Sequence, residues 1–488
     1  MSTAAPPSTL YQALADELTA AITSGRFPAG SSLPSLRESA TRRALSLNTV
    51  TAAYRLLEDR GLITARPQSG FYVCSDLPEP RHSLRTAPSA ATSGAQEDLM
   101  ATVLAAQRQP GHVDLAFAGP RGKKFYPGER LAKLTGSVLR RRSGVVSTYA
   151  LPPGSELLRD QIARRGQRLG MHLSAEDIVL THGAMEALQL ALRVSTRPGD
   201  RVGIEAPSYF NLYPLLSSLG LSAIEIRTHP RDGLDVDAAE QLLQARRVAA
   251  LVAMPTVHNP LGCTMPIGAK ERLAKLVNHH GVPLIEDTVY AELQFAEMPE
   301  PAVKSFDQKG WVMVCAGFSK TLAPDYRLGW LDGGRFGQEV QRLKFASSAS
   351  ESMLLSETIG LFLESGGYEH HIKSLRRLYF SQVATVRGLI SRHFPAGTRA
   401  TQPDGGFLLW VELPAPVDSL DLFHAALGKK IVIMPGQVYS KGARYRHCLR
   451  LACCQEIDDR YVDAIKTVGH LACELLNHGR SYKRAPGA

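Results

Sequence analysis

The sequence predicts a multidomain chain in which a small helical unit closed by a hairpin precedes a large α/β domain on a mainly parallel sheet. Three observations predict it. At 488 residues the chain exceeds what one ordinary core organises. From Leu10 to about Val73 the apolar spacing is helical in short segments, broken at Phe27-Pro28-Ala29-Gly30 and again near Ala44 to Ser46. From about Val113 onward, helical stretches such as Ala184 to Val194 alternate with short apolar runs, Ala249 to Met254, Val282 to Ile285 and Val312 to Cys315. That alternation is the pattern of parallel strands joined by crossing helices.

The N-terminal unit has its own start and stop signals. Ser35 is an N-cap with Glu38 three residues on, the capping-box spacing, and Ser46 caps the next helix. Val50, Ala53, Tyr54 and Leu57 fall on one face of that helix and form the expected core. Asn48, Thr49 and Thr51 stand at its start on the other side, where a helix-turn-helix reader meets base edges. Arg37, Arg42, Arg43, Arg55 and the hairpin's Arg66 are suited to phosphates, adding affinity and salt dependence without sequence choice. In an isolated helix pair such arginines are more often a solvated face. Cys74 to about Gln109, rich in Pro, Ser, Ala and charge, reads as a flexible linker, so the expected domains are 1–77, a linker at 78–110, and 111–488.

Composition excludes several classes. Hydrophobic residues at 44% and charged residues at 21% suit a globular protein, and no apolar run nears the roughly 18 to 20 residues that span a bilayer. The first residues lack a secretory signal's basic start and apolar core, which leads us to expect a cytoplasmic protein without a membrane partner. Seven cysteines without a CxxC pair fit reduced thiols, and the isolated His279-His280 pair fits a solvated helix end, so no metal is expected. A net charge of +10 permits a polyanionic partner but does not require one.

In the large domain, chemistry-bearing residues follow three expected strands. Lys320 lies just past Val312 to Cys315, Asp287 past Val282 to Ile285, and Asn259 past Ala249 to Met254. Ligands bind in the crevice beyond such strand ends. Singly, each has an ordinary explanation: a solvated charge, a helix cap, a turn residue before proline. No GxGxxG follows a strand, so a dinucleotide-binding reading lacks its motif.

Two resemblances join these observations. Residues 10 to 73 resemble the GntR family of winged helices: Leu33 to Glu38 matches its LPS-x-R-E turn, Ser46 to Val50 its S-x-N-T-V recognition helix, Leu56 to Ile63 its run into the wing, and Gly70 the wing-tip glycine. Arg43-Ala44 departs from the usual Leu-Gly. Residues 112 to 475 resemble the fold-type I aminotransferases, which bind pyridoxal 5'-phosphate (PLP) and carry a small C-terminal α/β subdomain, here from about residue 370. The resemblance implies that Lys320 is the Schiff-base and catalytic lysine, that Asp287 meets the pyridine nitrogen, and that Tyr290 and Asn259 hold the phenolic oxygen. Tyr209 would stack on the ring. Gly183, Ala184 and Met185 at a helix start, with Ser319 and Arg327, would hold the phosphate. Gly317 departs from the usual Ser or Thr. Arg450 would grip a substrate or effector carboxylate, and Tyr149 would reach the neighbouring subunit's phosphate, implying a homodimer.

Winged helix, linker and aminotransferase-like domain together resemble the MocR family of regulators. That resemblance implies a PLP-binding regulator of a double-stranded DNA operator, controlled by an amine, an amino acid or PLP itself. The alternative is a working aminotransferase carrying an accessory DNA-binding domain.

Overall fold

Two short helices and a hairpin close over the N-terminal helix. The computed structural model describes residues 10–23, 27, 31–59, 62–66, 70–73, 80, 93–442 and 444–484. Helices α1 (Leu10–Thr23), α2 (Leu36–Arg43) and α3 (Leu47–Asp59) precede the antiparallel pair β1 (Ile63–Arg66) and β2 (Gly70–Val73). Ser35 Oγ accepts from Glu38 N at 3.2 Å and Ser46 Oγ from Thr49 N at 3.1 Å, so both expected caps form. Val50, Ala53, Tyr54 and Leu57 are fully buried against Leu14, Leu18, Ile63 and Val73. The Tyr54 hydroxyl donates to the Pro34 carbonyl at 2.9 Å and meets Ser39 Oγ at 2.7 Å, tying α3 to α2 and to the residues that lead into α2. Ala44 ends α2 at φ +49°, a left-handed position that explains the family's glycine there.

Across the large domain an eight-stranded sheet runs in the order Ile178–Thr181, Gly329–Asp332, Val312–Gly317, Leu284–Asp287, Ala250–Ala253, Arg201–Ala206, Ser222–His229, Gly233–Leu234. Four neighbouring pairs from Val312–Gly317 to Ser222–His229 are parallel, while Gly329–Asp332 runs against both its neighbours. Helices cover both faces. Val179, Leu188, Ile204, Val252 and Met313 pack on one side, and Leu251, Leu273, Leu284 and Val312 on the other. Strands buried on both faces carry continuous apolar runs instead of alternation, which is why they stand out in the sequence.

The smaller subdomain holds a four-stranded antiparallel sheet in the order Arg399–Ala400, Leu408–Glu412, Cys448–Ala452, Met434–Pro435, packed by the helices Gly367–His393, Ser419–Gly428 and Asp459–Arg484. It does not begin near 370 alone. Ser93–Gln107 is a helix, α4, inside the stretch expected to be linker, and its Val103 and Ala106 are buried with Ile431, Val432 and Leu476. Val113–Asp114 pairs with Ile431–Val432 in a separate parallel ladder. Its Ala-rich, Gly- and Ser-containing sequence inside a Pro- and Ser-rich stretch hid this helix. Of the rest of the expected linker, 78–79 and 81–92 lie outside the described residues.

Candidate functional site

The C-terminal ends of the parallel strands open on a cavity of about 280 Å³, and the turns after them supply its polar groups. Lys320 stands three residues beyond Val312–Gly317, and its Nζ donates to the Ala118 carbonyl. Enclosure is the main cause that lowers its ammonium to about 8; Arg450 and Arg327 push the same way, Cys454 and Asp287 oppose. Asp287 ends its strand and is buried. Desolvation raises its carboxyl to about 7, helped by Glu205 and Glu286 and opposed by the Val289 N–H at 3.0 Å and by Lys320.

Other lining groups complete a cradle. Tyr290 is buried with its ring edge-on to Phe407. Asn259 is buried and its Oδ1 has no hydrogen-bond partner. Tyr209 follows the strand end at Ala206, and Asn211 Nδ2 donates to its hydroxyl at 2.9 Å. Gly183, at φ +81°, turns the chain into the helix Ala184–Ser195 and leaves that helix end without a side-chain cap. A Cβ at 183 would lie 2.9 Å from Arg327 Nη2, and Arg327 Nη1 donates to Ser319 Oγ at 3.0 Å. Ala184 and Met185 line the cavity beside them. Gly317 leaves room for this turn, since a Cβ there would stand 3.2 Å from the Ala184 nitrogen.

Arg450 is 1% exposed, with Nη2 donating to the Ala116 carbonyl while Nε and Nη1 have no partner. A buried guanidinium lacking an anionic partner is costly, and it faces the cavity. The residues present fit PLP: an acid for a ring nitrogen, an unpartnered amide, a helix N-terminus flanked by a hydroxyl and a guanidinium, and a lysine with a lowered ammonium value. The cavity brings together the expected cofactor residues except Gly183, which stands at the turn just before the lining residue Ala184, and Tyr149, which is 89% exposed beside Val146 and Leu151, also exposed.

Several supporting residues carried no sequence signal. Buried Glu205 accepts from Met254 N at 2.7 Å and meets His258 Nε2 at 3.3 Å, bracing the turn that holds Asn259. Asp114 accepts from Ala116 N, Phe117 N and Gln107 Nε2, and pairs with Arg121 at 3.1 Å, fixing the segment whose carbonyls hold Arg450 and Lys320. His182, Glu186 and Glu351 cluster as metal ligands would, but the buried Lys344 ammonium sits among them, 2.8 Å from Glu186. Glu186 in turn accepts from His182 N at 2.6 Å, next to the Gly183 turn. These are long-range partners that a linear motif does not reveal.

In the N-terminal domain Arg37, Asn48 and Arg55 are exposed. Arg42 pairs with Glu38 at 2.9 Å on the surface, and Arg43 pairs with Glu17 at 2.9 Å and ties α2 to α1. Thr51 Oγ1 donates to the Leu47 carbonyl, and Thr49 shares its hydroxyl with Ser46. Gly70 opens β2 at φ +98°, paired with Arg66, whose side chain lies outside the described set. Cys263, Cys315, Cys448, Cys453 and Cys454 are buried and unbridged. Among the described residues no helix is long and apolar enough to cross a membrane.

Comparison with known proteins assigns both parts. Residues 10–73 match the bacterial regulatory proteins of the gntR family, and residues 126–465 match the class I and II aminotransferases. The HTH-type transcriptional regulator YdcR of Escherichia coli is 36% identical over 470 residues, covering 96% of this chain and 99% of that protein. YjiR of the same organism, also described as an HTH-type transcriptional regulator, is 33% identical over 94% of this chain and 98% of its own. The crystal structure of Pyrococcus horikoshii kynurenine aminotransferase in complex with PMP superimposes with a TM-score of 0.72 at 25% identity, covering 79% of this chain and 97% of that one.

Proposed function

Since the chain belongs to the class I and II aminotransferase family and carries a gntR-family domain at its N-terminus, the MocR-type combination, we propose that it is a cytoplasmic, homodimeric, PLP-binding transcription regulator whose operator affinity is set by an amine or amino acid. The observation that carries this reading is the buried Arg450, with two unpartnered guanidinium nitrogens, facing a PLP-suited cavity in a chain that also carries a gntR-family domain with a packed helical core. Bound at Lys320, PLP supplies an electrophilic carbon for amines and an electron-withdrawing ring. The residues around it bind and orient. Asp287 would hold a proton at the ring nitrogen, Tyr290 and Asn259 would hold the phenolic oxygen, and the Gly183–Met185 turn with Ser319 and Arg327 would fix the phosphate. Arg450 would take a ligand carboxylate in a fork of parallel hydrogen bonds.

Exposed Tyr149 with Val146 and Leu151 supports a second subunit, because an apolar surface of this kind is ordinarily covered. Two winged helices on one dimer would read two half-sites, with exposed Asn48 at base edges and Arg37 and Arg55 on phosphates. A ligand shifts operator affinity only by its differential binding to two conformations, typically about 1–3 kcal/mol or 5- to 150-fold.

The lowered Lys320 ammonium favours a second reading, in which the same lysine moves protons in a working aminotransferase. One experiment separates the two. PLP-loaded protein is used to select duplexes from a randomised DNA pool, and the selected duplex is then titrated with and without amino acids and amines. A ligand that perturbs the visible band and changes DNA affinity, without sustained formation of 2-oxo acid in the presence of an acceptor 2-oxo acid, supports the regulator. Continuous amino-group transfer with no selected duplex refutes it.

A further inference from the structure

Besides the cofactor residues, the cavity has a second set of lining residues, and its chemistry is one-sided. Met100 and Leu104 from α4, Phe117, Phe210 and Met434 line it. Leu104 and Phe117 remain 44% and 43% exposed although large and apolar, while Val103 and Ala106 of the same helix are buried in the subdomain core. Helix α4 therefore presents one apolar face to the protein and another to the cavity.

The side-chain amide nitrogens among these residues are committed elsewhere. Gln107 Nε2 donates to Asp114 at 3.2 Å, and Asn211 Nδ2 donates to Tyr209. Arg121, whose guanidinium lies 4.7 Å from the centre of the Phe117 ring, pairs with Asp114. Among the described lining residues the only carboxylate is Asp287, at the cofactor end, and the cations are Lys320, Arg327 and Arg450. This set thus matches neither a basic nor an acidic side chain.

Orientation follows from two contacts on one short segment. Arg450 Nη2 donates to the carbonyl of Ala116 and Lys320 Nζ to that of Ala118. A ligand with its carboxylate on the free Nε and Nη1 of Arg450 and its amino group at Lys320 straddles Phe117, so its side chain is directed at Phe117, Met100 and Leu104. We infer that the ligand is an α-amino acid with an apolar side chain of the size of leucine, methionine or phenylalanine, seated against α4. This rests on the reading of the large domain as a ligand sensor. It also places the ligand on the first described helix after the segment leading from the winged helix, which is where occupancy would be felt by the DNA-reading half.

The test is a calorimetric and absorption titration of the PLP-loaded full chain with leucine, methionine, phenylalanine, aspartate, glutamate, lysine and isoamylamine, the carboxylate-free analogue of leucine. Apolar amino acids are expected to bind at least about tenfold more tightly than the charged ones, the effect of burying a leucine-sized side chain, and isoamylamine at least about tenfold more weakly than leucine. Leu104→Asp, at a position 44% exposed, should abolish the preference for apolar ligands; Met100→Gln, similar in size, should reduce it. Equal or tighter binding of aspartate, glutamate or lysine, or an unchanged ranking in folded Leu104→Asp, overturns the inference while leaving the sensor reading intact. A panel in which no amino acid releases heat or moves the visible band overturns both.

Discussion

Replacing Asp287 by Asn should stabilise the cofactor-free protein while destroying its ability to retain PLP. Burial holds the Asp287 carboxyl near 7 in the folded state against an ordinary 3.8. Below pH 4 both states are protonated and the group costs nothing. As pH rises from 4 to 7 the unfolded chain ionises and the folded chain does not, so stability present at low pH is lost at about 1.4 kcal/mol per unit, reaching about 4 kcal/mol at pH 7 and levelling above it. Asp287→Asn removes that titration in nearly the same shape. The variant should match the parent near pH 4 and exceed it by about 4 kcal/mol at pH 8, both without cofactor. Trp311, Trp330 and Trp410 are the chain's three tryptophans and all lie in the large domain, so urea unfolding followed by their fluorescence reports that domain alone. Adding PLP should reverse the order, since a protonated ring nitrogen gives the Asp287 carboxylate a cationic partner and Asn offers none. Parallel pH profiles for the two proteins, or a less stable variant at pH 8, would refute the argument that an isolated buried charge at 287 awaits a cationic partner.

Four further outcomes follow from the same geometry. Lys320→Ala should lose the visible band of bound PLP, and a retained, borohydride-sensitive band would remove Lys320 from its role. Gly183→Ala places a Cβ 2.9 Å from Arg327 at a φ of +81°, so PLP retention measured by dialysis should fall about tenfold or more with little change in fold by circular dichroism. Ala44→Gly should stabilise the winged helix by up to about 1 kcal/mol in thermal unfolding, because Ala44 now occupies a left-handed helix end. Arg37→Ala should weaken binding to all duplexes and flatten the salt dependence, whereas Asn48→Ala should mainly relax sequence choice; equal losses on every duplex for both would remove Asn48 from base contact.

Local signals carried much of this protein into view. The caps at Ser35 and Ser46 and the buried face from Val50 to Leu57 depend on contacts within a few residues, so the helix-turn-helix was legible directly. Lys320, Asp287 and Asn259 were legible because Asp287 ends, and Lys320 and Asn259 closely follow, strands buried on both faces, and such strands announce themselves as apolar runs. Helix α4 was not. Its Ala-, Ser- and Gly-containing sequence resembles linker, and only Ile431, Val432 and Leu476, more than 300 residues away, provide the surface that makes burying Val103 and Ala106 favourable.

Roles within the site divide the same way. By itself the sequence determined which residue types stand at the strand ends, because helix and strand periods place them there whatever else the chain does. Only the tertiary structure decided that Arg43 pairs with Glu17, that Lys344 fills the cluster of His182, Glu186 and Glu351, and that Asp114 fixes the carbonyls holding Arg450 and Lys320. Those decisions rest on pairings between distant segments, where the cost of burying a charge is met by a partner that proximity in sequence does not predict.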